Sequence, residues 1–213
     1  MNYTIFLDSI AETFRTAINT VPRSTPIHTP DFGWTNHRYE SEVFRLAHIE
    51  RYTDNKIEVL HITTFPHGWS PAPIFGFDVI CTDNQVVGVY LDFTPTFHPY
   101  PFSGDFLERK PLPEWATVFS QDFILLKPIN DLEFQSFCGW ATYHYTKYLQ
   151  VLLQKETITD RAHLQMIKEK HNTYCHIQAS NPRTYTVLKH KIGEEKATYF
   201  MQQILFPQIV LDK

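Results

Sequence analysis

The sequence predicts an α/β fold, a three-layer α/β/α sandwich with a central, mainly antiparallel sheet, formed by a single domain over residues 1–213. First, residues 57–93 contain three β-branched and aromatic segments, IEVLHITTF, PIFGFDVIC and VVGVYLDF, separated by short turn-forming connectors. Second, these strands are apolar on both faces, so each face of the sheet needs a covering layer. Third, helical patterns lie at both ends of the chain, which supplies two such layers.

The N-terminal part predicts one helix followed by irregular chain and a strand. Three prolines, at positions 22, 26 and 30, oppose regular structure before Trp34. The run from Glu42 to Arg51 then alternates as a strand, with Phe44, Leu46, His48 and Glu50 on one face. The helix is predicted from apolar residues spaced three or four apart: Tyr3, Leu7, Ile10, Phe14 and Ile18.

The C-terminal half predicts a long loop, one more strand and several helices. The proline-punctuated stretch from Thr94 to Pro113 predicts a functional loop, and FILLK at 123–127 predicts a buried strand. Asn130, with Glu133 three residues later, predicts the start of a helix. We expect a second helix over 160–175, and a further start at 181–182.

Composition narrows the class of protein. A net charge of −4 argues against a nucleic-acid surface covering the whole chain, and three widely spaced cysteines suggest neither a disulfide framework nor a thiolate zinc site. No segment has the pattern of a signal peptide or the roughly 18 apolar residues of a membrane span. We therefore expect a cytoplasmic protein that binds neither nucleic acid nor membrane. We also expect a monomer.

Polar side chains interrupt the apolar strands and need an explanation, because burying charge is costly unless it is paired. His48, Glu50, His61 and Asp92 converge on one side of the sheet if neighbouring strands pair. Three interpretations remain open. Each group is satisfied by backbone or water, the set binds a metal ion, or a buried aspartate and an imidazole exchange protons with a flat conjugated ligand.

Several motifs in this chain resemble those of a known family. LHITTFP at 60–66, PIFGFDVI at 73–80 and VYLDFTP at 89–95 resemble, in order and spacing, the core of the ferredoxin-dependent bilin reductases. HIE at 48–50, PEWATVFSQDFILLKP at 113–128 and YFMQQILF at 199–206 are also similar. Within the family the chain most resembles the phycocyanobilin:ferredoxin oxidoreductase lineage and its phage-type relatives that form phycoerythrobilin.

The resemblance implies both a fold and a reaction. Members are α/β/α sandwiches that hold biliverdin IXα between the sheet and the C-terminal helices. They use no metal, flavin or nicotinamide, and reduced ferredoxin is the external electron donor. Electrons arrive singly, so the pigment passes through radical states and the protein must direct protons to chosen atoms.

The resemblance also implies roles for individual residues. Asp92 corresponds to the aspartate that protonates the bilin, His61 to its partner on the adjoining strand, and Glu50 to a glutamate near the A-ring vinyl group. His48 corresponds to a histidine that supports this network through hydrogen bonds. Lys127 and Arg183 correspond to basic residues that bind propionates, and Asn181 also falls in the substrate-binding segment.

One departure concerns the product. Many relatives carry an aspartate where this chain has Pro182, which cannot donate a proton. With the short N-terminal segment, this favours four-electron reduction of biliverdin IXα to phycoerythrobilin, with phycocyanobilin as the alternative. A carrier or lyase-like protein that binds bilin without reducing it is the rival class. Ferredoxins are acidic, so Lys189, Lys191 and Arg183 are candidates for the docking surface.

Overall fold

The computed structural model describes residues 1–98, 118–154 and 156–210. Its centre is a seven-stranded sheet in which every strand is antiparallel to the next and the spatial order follows the chain order. This order is the simplest way to pair consecutive strands through short connections. The strands are β1 Thr25–Ile27, β2 Thr35–Glu40, β3 Phe44–Thr53, β4 Ile57–Pro66, β5 Ile74–Thr82, β6 Gln85–Thr94 and β7 Ile124–Leu126.

Helices cover both faces of the sheet. One apolar core lies between the sheet and the first two helices, and a second lies between the sheet and the remaining ones. The predicted α/β/α sandwich is thereby confirmed. The helices are α1 Tyr3–Asn19, α2 Asp131–Leu153, α3 Arg161–Ala179, α4 Pro182–Ile192 and α5 Glu194–Tyr199, the last of which continues as a π-helical segment, Phe200–Leu205.

The predicted helix starts are confirmed by their caps. The Asn130 side chain accepts a hydrogen bond from the Glu133 backbone N–H at 2.9 Å, and the Asn181 side chain accepts one from the Arg183 N–H at 3.0 Å. Pro182 occupies the first turn of α4, where its missing N–H costs nothing. Asp160 caps α3, which ends four residues later than the predicted Cys175.

The expectation of irregular chain up to Trp34 is wrong for one short segment. β1 contains Pro26 and pairs with β2 at the edge of the sheet, where a proline loses no ladder hydrogen bond on its solvent side. β2 was not predicted at all, because its sequence TNHRYE is polar and carries little strand signal.

A β-bulge changes the predicted face of Phe44. The register between β3 and β4 shifts between Phe44 and Leu46, so these two side chains enter different cores. Phe44 packs with α1 and α2, whereas Leu46 packs with the layer of α3 to α5. His48 and Glu50 lie beyond the bulge and keep the shared face that alternation predicts.

The predicted long loop lies mostly outside the described residues. It runs from Thr94 to Pro113, and the structure describes it only as far as residue 98. The start of the PEWATVFSQDFILLKP motif also lies outside the described residues.

None of the helices in the described ranges combines the length and the apolar composition that crossing a membrane requires.

Candidate functional site

Four polar side chains form one row across the middle of the sheet. Glu50 of β3 lies opposite His61 of β4, His61 opposite Asp78 of β5, and Asp78 opposite Tyr90 of β6. Residues paired in this way project to the same face of a sheet. All four line a single cavity between the sheet and the layer of α3 and α4.

Asp78 holds the imidazole of His61. The Nδ1 atom of His61 is in short hydrogen-bonding contact with Oδ1 of Asp78, and its Nε2 atom is buried without a partner in the described part of the chain. Burial alone would lower the pKa of His61, but the charge and hydrogen bond of Asp78, helped by Glu50, raise it above the ordinary value. His61 therefore holds its proton at a higher pH than an ordinary histidine.

The predicted placement of His61 on a strand that adjoins the strand of Asp92 is wrong. The strand of Asp92 does not adjoin β4, because β5 lies between them and Asp92 is opposite Gly76. Sequence reasoning missed Asp78 although the signal was present. Asp78 is a lone carboxylate inside the apolar segment PIFGFDVIC, which is the same kind of exception that singled out His61 and Asp92.

Asp92 also lines the cavity, but its carboxylate is engaged by protein groups. One oxygen accepts from the Ser120 backbone N–H at 3.0 Å and from the Thr94 hydroxyl, and the other accepts from the Ser120 hydroxyl. Burial raises the pKa of Asp92 although these hydrogen bonds oppose the shift. The contacts tie the chain around Ser120 to β6, which is a structural task for this carboxylate.

Glu50 closes the row on the β3 side. Its Oε1 atom accepts a hydrogen bond from the indole Nε1 of Trp34 at 2.8 Å. Burial raises the pKa of Glu50, and this effect outweighs the opposing influence of His61 and of the Trp34 hydrogen bond. The side chain can therefore hold a proton at a higher pH than an exposed glutamate.

His48 stands behind the cavity wall and does not line it. It is fully buried, and its Nε2 donates to Oδ1 of Asn36 at 2.9 Å. Burial, with the charges of His61 and Arg38, holds its pKa well below the ordinary value, so the ring is neutral. The centroids of the His48 and His61 rings are 6.3 Å apart, and the supporting role of His48 stays a prediction.

The cavity has a volume of about 760 Å³. Small-molecule sites commonly span about 300–1,000 Å³ and are mainly apolar with a few polar groups. The aromatic and aliphatic wall suits a flat conjugated ligand, and the polar row marks one side of it. From the helical layer and the chain that follows it, the apolar lining comprises Tyr174, Ile177, Val187, Leu188, Leu205 and Phe206.

The start of α4 borders the cavity, whereas Lys127 does not. Asn181, Pro182 and Arg183 all line it, and the side-chain nitrogen Nδ2 of Asn181 has no hydrogen-bond partner within the described ranges. Lys127 is exposed just after β7 and lies outside the lining. The predicted contacts of Lys127 and Arg183 with propionates stay predictions.

A shared metal site was one of the interpretations left open by the sequence. Within residues 1–98, 118–154 and 156–210, no three His, Cys, Asp or Glu side chains are placed to hold a metal ion together. In the structure His61 pairs instead with a carboxylate, and His48 with an amide.

A family model described as ferredoxin-dependent bilin reductase matches residues 24–207. The chain belongs to the ferredoxin-dependent bilin reductase family. It is therefore an oxidoreductase of the bilin-reducing class, as its sequence motifs predict.

Individual relatives agree with this assignment. Phycocyanobilin:ferredoxin oxidoreductase of Trichodesmium erythraeum is 26% identical over 184 residues, which cover 80% of this chain and 75% of the relative. Among solved structures, one titled PcyX aligns over 96% of this chain and 99% of its own, with a TM-score of 0.68 and 20% identity. Tomato phytochromobilin synthase in complex with biliverdin aligns over 96% and 83%, also with a TM-score of 0.68, at 16% identity. These two similarities bear on the fold.

Proposed function

We propose that this chain reduces biliverdin IXα to a phycobilin, phycoerythrobilin, with four electrons from reduced ferredoxin and four protons from the site and solvent. The observation that carries the proposal is the His61–Asp78 pair at the wall of a cavity suited to a tetrapyrrole, where the carboxylate raises the pKa of the imidazole. The protein acts as a monomer in the cytoplasm, with no bound metal, flavin or nicotinamide.

The chemistry follows from one-electron delivery. Each added electron makes the pigment more basic, so a proton donor near neutral pH stabilises the reduced state. His61 transfers a proton to the pigment and is protonated again from solvent. Asp78 stabilises the imidazolium and fixes its orientation. Glu50, on the strand at the other side of His61, adds a second carboxyl group with a raised pKa.

The resemblance gives the donor role to Asp92, whereas the contacts favour Asp78. Asp92 accepts three hydrogen bonds from Ser120 and Thr94, which hold both of its oxygens. Oδ2 of Asp78 has no partner in the described part of the chain, and its Oδ1 contacts His61. We therefore assign the proton supply to His61 together with Asp78. Asp92 instead holds the chain around Ser120 against β6.

Pro182 supports the choice of phycoerythrobilin. It borders the cavity at the position where many relatives carry an acid, so a protonation that depends on that acid must proceed by another route. Phycocyanobilin is the second candidate, because a similar curated protein is a phycocyanobilin:ferredoxin oxidoreductase.

Charged residues near α4 are candidates for the propionates and for ferredoxin. Lys189 is paired with Glu194 at 2.8 Å and Lys191 with Asp54, whereas Arg183 has no ion pair among the described residues. Arg183 is therefore our first candidate for a propionate contact, with Lys127 as a second. If acidic ferredoxin docks at Lys189 and Lys191, its carboxylates must replace Glu194 and Asp54 as the partners of these lysines.

An anaerobic assay tests the function directly. Purified protein is mixed with biliverdin, supplied with reduced ferredoxin, and the released pigments are separated by chromatography. An enzyme gives a new bilin, and its retention identifies phycoerythrobilin or phycocyanobilin. A carrier would bind the pigment without changing it, and stoichiometric metal in the purified protein would favour the metal-site interpretation.

A further inference from the structure

Tyr174 of α3 reaches the sheet between the two acidic side chains of the cavity. Its hydroxyl oxygen would lie 3.5 Å from a Cβ built on Gly76, so the hydroxyl stands directly over this glycine. Gly76 is opposite Asp92 and two residues before Asp78 on the same strand face. The hydroxyl therefore stands over the sheet between Asp78 and Asp92.

This hydroxyl differs from those of Tyr145 and Tyr148, two buried tyrosines on the other side of the sheet. Tyr145 hydrogen-bonds the Thr64 hydroxyl at 2.8 Å, and Tyr148 donates to the Pro73 carbonyl at 2.8 Å. The side chain of Tyr174, only 4% exposed, lines the cavity, and its hydroxyl has no hydrogen-bond partner in the described part of the chain. A hydroxyl that lines a cavity without a protein partner is available to hydrogen-bond a ligand there.

The electrostatics make the hydroxyl a donor. Burial, together with the charges of Asp78 and Asp92, raises the pKa of Tyr174 well above its ordinary value. The phenol thus keeps its proton. Asp78, two residues from Gly76 on the same strand face, has an acceptor oxygen, Oδ2, without a partner among the described residues, so this part of the wall offers one donor and one acceptor.

We propose that Tyr174 is a specificity-determining residue, whose hydroxyl donates to a terminal lactam carbonyl of the tetrapyrrole while Oδ2 of Asp78 accepts from the N–H of the same ring. A lactam presents a carbonyl beside an N–H, which complements this donor and acceptor. The contact fixes one end ring over Gly76 and thereby decides which pigment atom lies near His61. The inference rests on the proposed function, since biliverdin is the ligand.

The test compares Tyr174→Phe with Tyr145→Phe, which removes a buried phenol hydroxyl on the opposite face. Losing one neutral hydrogen bond should weaken biliverdin binding by Tyr174→Phe about 2- to 10-fold. It should also shift the absorption of bound biliverdin and change the product ratio, while the melting temperature stays unchanged or rises. Tyr145→Phe should instead lower the melting temperature and leave affinity, absorption and products as in the wild type.

Wild-type affinity, absorption and products in Tyr174→Phe would overturn the inference. A lower melting temperature as the sole effect would also overturn it, because it would show a purely structural role. If the wild type leaves biliverdin unreduced with ferredoxin, the proposed function fails. The affinity and absorption of the variant would still decide whether Tyr174 contacts the pigment.

Discussion

Replacing Asp78 with asparagine separates charge from shape at the His61 contact. Asparagine keeps an oxygen that can accept a hydrogen bond from Nδ1 of His61, so the ring keeps its orientation. Without the carboxylate, however, burial is the dominant influence and lowers the pKa of His61. The imidazole is then neutral near pH 7, and the proton needed after the first electron has no ready source.

The size of the effect follows from the role of a general acid. Positioned acid–base groups contribute about 10²- to 10⁴-fold to rate, so we expect a slowdown in this range for proton-coupled turnover by Asp78→Asn. Since His61 is the donor when protonated, wild-type activity is present below its raised pKa and is lost as pH rises through it. In the variant this loss should occur at a lower pH.

Anaerobic stopped-flow absorption with electron paramagnetic resonance is the assay. Asp78→Asn should bind biliverdin, accept one electron and accumulate a long-lived radical. Asp92→Asn is the matched control, because it alters a carboxylate on the same wall that hydrogen-bonds Ser120 and Thr94 instead of His61. Full turnover by Asp78→Asn together with a stalled radical in Asp92→Asn would refute the assignment and restore Asp92 as the donor.

Three further predictions concern other buried or capping groups. Glu50→Gln can still accept from Trp34 but cannot donate an acidic proton, so its product ratio should change more than its biliverdin affinity; an unchanged chromatogram would contradict its placement. Burial, aided by Arg45, lowers the pKa of His171 to about 3 from an ordinary 6.5, so the folded chain resists the proton and stability falls as pH drops below 6.5. The unfolding free energy of His171→Leu should thus rise relative to that of the wild type when the pH is lowered from 7 to 5. An equal difference between the two proteins in urea unfolding at both pH values would contradict this. Asn130→Ala removes the cap of α2 and should cost about 1 kcal/mol in urea unfolding, with Asn55→Ala in a turn as the comparison.

Local signals predicted the helices well because caps and periodicity depend on neighbouring residues. Asn130 and Asn181 each bond an N–H of the first turn that follows, and no distant part of the chain is needed to infer this. The bulge beside Phe44 is different. It arises from how β3 meets β4, and alternation along β3 alone gives the wrong face for Phe44.

The site was harder to predict because it depends on strand register. β5 and β6 are joined by a two-residue turn, Asp83 and Asn84, both with positive φ, which fixes Asp78 opposite Tyr90. β4 and β5 are joined by a longer proline-containing connection that specifies no register. The pairing of His61 with Asp78 therefore became visible only in three dimensions, whereas Tyr174 resembled an ordinary core residue of its helix.

Because the cavity wall is built from several elements, binding of a pigment there should raise the melting temperature of the protein. A compound that contacts His61, Asp78 and Tyr174 together recognises only the folded chain, because these side chains come from two strands and a helix. By mass action such a compound stabilises the fold by about 2.7 kcal/mol at one hundred times its dissociation constant. Melting curves would thus rank a panel of open-chain tetrapyrroles in air, without any electron donor, and would reveal compounds that are held but never reduced.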